Sequence, residues 1–239
     1  MTQRPEILEL SDTEMVSGMV RARIAIQGER ARALVTEWNL LEEKSVEDLQ
    51  SEMREAIVLW SGWVGEREPS GVFPLSPKTW SPDAWAELVE SCARMSGGEA
   101  GSIWFRPHAR HVLSDAQRCR TLMKEWKAAG GEATPFRMLM EPAALMTPSM
   151  LGAAADHVAR AIEAVADMPE LLAGILVSDI ALVERSDEPE PATKPVAFGR
   201  GAIGHDTFVE GVHLAGGWPG GVPLVRTADA RDVEDLFAK

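Results

Sequence analysis

Tyrosine is absent from this 239-residue chain, cysteine occurs twice, and no long apolar run is present. The two cysteines, Cys92 and Cys119, lack CxxC spacing, which leaves no disulfide framework and fits a reducing cytoplasm. No segment approaches the roughly 18 consecutive apolar residues of a membrane span, and the opening MTQRPEILELSD lacks the apolar core of a signal peptide. Basic residues are also scarce, with 24 Lys and Arg against 37 Asp and Glu and a net charge of −13. Such a balance excludes a general nucleic-acid binder or a protein of acidic membrane surfaces, because phosphate contact requires clustered Lys and Arg.

What is present is an ordinary globular composition, 45% hydrophobic and 26% charged, in a chain long enough to bury a sizeable core. The first third carries helical spacing. Ala31, Leu34, Val35, Trp38 and Leu41 recur on one face, and Leu49, Met53, Ile57, Trp60 and Val64 follow the Ser45/Asp48 start signal. VRARIAI (20–26) alternates with period two, which leaves a strand as an alternative there. The Pro-rich run 66–82 reads as a loop, and Ser81-Pro82 opens a helix through Leu88 and Cys92.

Beyond residue 99 the pattern becomes regular. GSIWF (101–105), PFRMLM (135–140) and GILVSDIALVER (174–185) read as strands. Between them lie a helix capped by Ser114 with Gln117 and another opened by Thr147-Pro148. SDEPEPATKP (186–195) reads as an exposed linker, and eight glycines follow between Gly199 and Gly221. The expected fold is therefore α/β or α+β: an N-terminal helical region (1–98), a central β-α-β-α-β core (99–185) and a Gly/Pro-rich C-terminal extension (186–239).

The densest chemistry lies in SIWFRPHARHVLSDAQRC (102–119), within a local charge of +4 over residues 105–127 that leaves −17 on the rest. Arg106, His108, Arg110 and His111 would occupy the loop at a strand's carboxyl end, with Ser114 at the next helix start. In open α/β sheets ligands bind outside those ends, and a helix start favours an anion. Glu141, leaving the following strand, would reach the same edge if the two strands are neighbours. A polar turn of no function is the plainer alternative. Two histidines without a firm third ligand make no metal site, and no motif names a cofactor. Gly199, Gly201 and Gly204 spell GxGxxG, but no helix is expected at the third glycine, so the run reads as a hairpin or loop. Trp218, set among glycines, is a candidate partner anchor.

Two functional expectations follow. The first is a non-enzymatic interaction or assembly subunit with a protein partner or self-association. Its grounds are the acidic surface, the Met- and Trp-rich stripes and terminal segments suited to docking. The alternative is a small-molecule protein, binder or enzyme, that holds an anionic ligand with the 106–114 loop and uses one histidine as acid or base.

Overall fold

The computed structural model describes residues 4–12, 24–28, 32–42, 56–67, 72–95, 102–130, 134–186, 188, 190–227, 229–230 and 233–237. Eight strands close into a barrel. In chain order they are β1 (Ile7–Asp12), β2 (Ile24–Gln27), β3 (Arg32–Asn39), β4 (Ala56–Trp60), β5 (Ile103–Arg106), β6 (Phe136–Met140), β7 (Leu172–Leu176) and β10 (Leu224–Thr227). Around the barrel they run β1-β10-β7-β6-β5-β4-β3-β2. Every pairing is parallel except the two made by β2, which lies antiparallel to both β1 and β3. Two further strands, β8 (Ser178–Val183) and β9 (Ala192–Ala197), form an antiparallel hairpin outside the barrel.

The parallel strands are nearly continuous apolar runs because both of their faces are buried. Val58, Trp104, Leu139 and Val225 join Leu8, Ile26 and Val35 in one cluster inside the barrel. Their chain neighbours Ile57, Leu59, Ile103, Phe105, Met138, Met140 and Leu224 belong to a second, larger cluster packed beneath the helices. Adjacent residues thus face opposite sides, as the pleat requires. A register shift between β6 and β7 lets Gly174 pair with Leu139.

Helices α1 (Pro82–Met95), α2 (Ala116–Gly130) and α3 (Ala154–Glu163) connect successive parallel strands from β4 to β7, and α4 (His205–Leu214) precedes β10. Ser81 caps α1, its Oγ accepting the Ala84 N–H at 3.2 Å. The buried stripe of α2 is Cys119, Leu122, Met123 and Trp126, the face its spacing predicts. Helices α3 and α4 pack closely at Gly211, where a Cβ would stand 2.5 Å from Val158 Cβ and 2.7 Å from the Ala155 carbonyl.

The central β-α-β-α-β order holds, as β5-α2-β6-α3-β7. Several other expectations are corrected. The helical region expected in 1–98 instead contributes four barrel strands. Ala33, Val35, Thr36 and Asn39 in β3 and the run 57–60 in β4 are buried, so apolar spacing that fits a helix was being set by a sheet. The strand alternative at VRARIAI holds for Ile24–Gln27, while the start signal at Ser45/Asp48 falls outside the described residues. The cap of α2 is Asp115, whose Oδ1 accepts the Arg118 N–H at 2.9 Å; Ser114 Oγ hydrogen-bonds the Asp115 carboxylate instead. SDEPEPATKP is not a free linker, since Ala192–Ala197 pair with β8. The C-terminal extension returns to the barrel as α4 and β10. Among the described residues no helix is long and apolar enough to cross a membrane.

Candidate functional site at the barrel mouth

Because β4, β5, β6, β7 and β10 all run in the same direction, their carboxyl ends share one rim. Barrels of this kind carry their chemistry there, on loops held by a rigid scaffold. At that rim lies a cavity of about 340 Å³, lined by Trp60, Arg106, Glu141, Leu176, Ser178 and Thr227 from the strand ends. Arg67, Phe73 and Asp229 line it from loops, and β9 crosses it with Lys194, Pro195, Val196 and Ala197.

Arg106 and Glu141 are brought together because β5 and β6 are neighbours. The guanidinium binds the fully buried Glu141 carboxylate through Nε at 2.5 Å and Nη2 at 3.0 Å. Ser178 Oγ donates to Glu141 Oε1 at 2.7 Å. The guanidinium also lies 4.1 Å over the Trp60 ring, a cation–π contact that holds it flat against the wall. Glu141 therefore balances Arg106 and fixes its orientation, leaving Nη1 with no partner among the described residues.

The other candidates from the 106–114 stretch do not converge with Arg106. His108 and His111 are fully buried in a box with Trp60, Trp63 and Phe73. Burial, reinforced by the Arg106, Arg110 and Arg67 guanidiniums, lowers His108 to about 3. His111 is held well below its ordinary value, first by burial and then by His108, Arg67 and Arg106. Both rings are uncharged at neutral pH. The Arg110 backbone N–H donates to His108 Nδ1 at 3.1 Å, and the Arg110 side chain lies outside the mouth cavity. That side chain is bound to the Phe73 carbonyl at 2.9 Å and to both oxygens of Glu188, which Arg185 also engages at 3.0 Å. Glu188 belongs to the β8–β9 loop, so Arg110 ties the hairpin to the barrel beside a smaller cavity of about 260 Å³. Ser114 is half-buried beside Asp115.

The GxGxxG run does open a helix, contrary to expectation: Gly204, at φ +81°, directly precedes α4. Its N–H groups are engaged by a carboxylate of the chain itself. The amides of Gly201, Ile203 and Gly204 donate to the buried Asp179 carboxylate at 2.9, 2.9 and 3.1 Å, joined by Ile180 at 2.8 Å. Glycine is required at 201, where a Cβ would stand 2.3 Å from the Ile180 carbonyl. Trp218 is folded back on its own molecule, its Nε1 donating to the Val222 carbonyl at 2.9 Å and its ring 5.9 Å from Phe237.

Sequence reasoning passed over Trp60, Arg67, Phe73, Ser178, Lys194, Thr227 and Asp229. Trp60 lay within a stretch read as helix through Val64. Ser178 was hidden inside what read as one strand, and Lys194 inside what read as linker. The available signal was a polar residue directly after each apolar run.

No protein-family model matches the chain, and no curated protein matches it. Among solved structures it is similar to a xylose isomerase domain protein from Planctomyces limnophilus, at 17% identity and a TM-score of 0.40. The alignment covers 79% of this chain and 61% of that one, so the chain spans about three fifths of that protein's length. The expectation of a non-enzymatic assembly subunit is corrected. Helical stripes and docking tails were among its grounds. The described part of the first third contributes barrel strands, β10 near the end of the chain closes the same barrel, and polar side chains line a small-molecule-sized cavity at its mouth.

Proposed function

We propose that this protein binds a small organic anion at the mouth of the barrel. The observation that carries this reading is a set of donors around one cavity that no described residue engages, with Lys194 exposed on β9 and Thr227 Oγ1 buried. Arg106 Nη1, Lys194 Nζ and the buried Thr227 Oγ1 have no hydrogen-bond partner among the described residues, and all three residues line it. Arg67 adds a further positive charge, against Asp229 and the Glu141 carboxylate that Arg106 already neutralises. Trp60, Phe73, Leu176 and Val196 supply the apolar wall that a carbon skeleton needs. Arg106 is the anchor of the site, because its fixed guanidinium presents an oriented donor at no conformational cost on binding. Cys92 and Cys119 are buried and not joined in a disulfide, which fits a reducing cytoplasm; burial pushes the Cys92 thiol up to about 12.

Calorimetric titration with short carboxylates and phosphate monoesters tests this reading. At least one is expected to bind saturably, and Lys194→Ala is expected to weaken it about tenfold, the effect of losing one charge-assisted contact. Absence of saturable binding by any of them, or binding indifferent to Lys194→Ala, overturns it.

A further inference from the structure

The β8–β9 hairpin lies outside the barrel sheet, yet β9 carries Lys194 into the lining of the mouth. A two-stranded hairpin is marginal by itself in water, so its place is set by whatever fastens it. Besides its packing against Ala143–Leu145, two polar fastenings hold it, one at each end of the ladder. At the base, where Ser178 pairs with Ala197, the Asp179 carboxylate accepts the amides of Gly201, Ile203 and Gly204. At the far end, past the pair of Val183 with Ala192, Glu188 meets Arg110. Lys194, opposite Ala181, stands between the two.

The far fastening is built as a clamp. Arg110 binds both Glu188 oxygens, one of them from Nη1 at 2.9 Å, and Arg185 adds a contact at 3.0 Å. The Arg110 and Glu188 side chains are only 9% and 8% exposed, so salt screens the pair little. Bidentate geometry adds direction to the charge. Arg110 Nη1 also donates to the Phe73 carbonyl at 2.9 Å, and Phe73 belongs to the aromatic wall of the mouth. One guanidinium thus holds two separate parts of the cavity lining, the loop that carries Phe73 and the strand that carries Lys194. Arg110, Arg185 and Glu188 themselves all lie outside that lining. The Lys194 ammonium is a point charge on a flexible stem, so the strand beneath it decides where it can reach.

We propose that Arg110 and Glu188 are positioning residues of the anion site, their clamp fixing β9 so that Lys194 serves the same bound anion as Arg106. This inference rests on the anion reading of the mouth. The sign of the effect separates positioning from charge. Glu188 is itself an anion near the site, and neutralising it leaves the surroundings more positive. Acting through its charge alone, Glu188→Gln would tighten anion binding; loss of the clamp weakens it.

The test is calorimetric titration with succinate, benzoate and phenyl phosphate of four proteins: wild type, Glu188→Gln, Lys194→Ala and the double variant. For whichever anion the wild type binds, Glu188→Gln is expected to weaken binding about fivefold. In the Lys194→Ala background the same change is expected to cost less than about twofold, because no ammonium is left to position. Should Glu188→Gln fail to fold, Arg110→Lys, which keeps the charge and loses the bidentate fork, serves in its place with the same expectation. Unchanged or tighter binding by the clamp variant, or equal weakening in both backgrounds, overturns the positioning role while leaving the anion site standing. If the wild-type protein binds none of the three anions, the anion reading fails and the positioning role fails with it.

Discussion

His108 and His111 carry their rings in a place where protonation is opposed from every side. Burial comes first, followed by neighbouring guanidiniums, while Glu141 and Glu188 are turned toward Arg106 and Arg110. In the unfolded chain both would take up a proton near their ordinary value of 6.5. Folded-state values are depressed, so the folded state binds fewer protons below about 6.5, down to about 3 in the case of His108. The contribution of both to stability is therefore complete above about pH 6.5 and is lost as pH falls, for His108 toward about 3 and for His111 in the same direction. The expected slope is up to about 1.4 kcal/mol per pH unit for each histidine. Urea denaturation at pH 7 and pH 5 should show a marked loss for the wild-type protein and a smaller one for His111→Phe. Equal losses in the two proteins would refute the burial argument.

The elements begin where local chemistry says they should, but not always on the expected side chain. Ser81 and Ser114 are both hydroxyl residues ahead of a helix, yet only Ser81 caps one. Ser81→Ala is expected to cost about 1 kcal/mol, and Asp115→Ala a similar amount, while Ser114→Ala should be close to neutral. Thermal or urea denaturation of the three variants checks the ordering. A loss at Ser114 equal to that at Asp115 would contradict the assigned cap. The Gly-rich loop offers the same lesson in a different form. Its amides do gather around an anion ahead of α4, as the GxGxxG spacing suggests, but the anion is the chain's own Asp179. An anion hole filled from within anchors the base of the β8–β9 hairpin instead of binding a phosphate.

At the scale of the whole molecule, closure of the barrel is the dominant fact. Strand β10, near the end of the chain, pairs with β1 near its beginning and with β7 from its middle. Removing residues 224–239 would therefore leave both neighbours with unpaired edges and open the inner cluster at Val225. Open edges and an exposed core favour aggregation. The truncated chain is expected to lose cooperative thermal unfolding and to aggregate, measured by circular dichroism and size-exclusion chromatography. A monodisperse truncated protein that unfolds cooperatively near the wild-type midpoint would show that β10 is dispensable.

The sequence by itself determined the alternating core from β5 to β7, the buried face of α2 and the start of α1, because each depends on contacts within a few residues. It also placed Arg106 and Glu141 on one edge, conditional on neighbouring strands. Only the tertiary structure decided the rest. Whether Ile57 to Trp60 form a helix or a strand depends on partners across the barrel, since a run buried on both faces has no period of its own to reveal it. The fate of the 106–114 residues was likewise settled at a distance. Glu188 drew Arg110 away from the mouth, and Phe73, Trp60 and Trp63 enclosed the two histidines. The mouth itself is built from Trp60, Arg106, Ser178, Lys194 and Thr227, which lie far apart in the chain. No local pattern brings such residues together; closing the sheet on itself does.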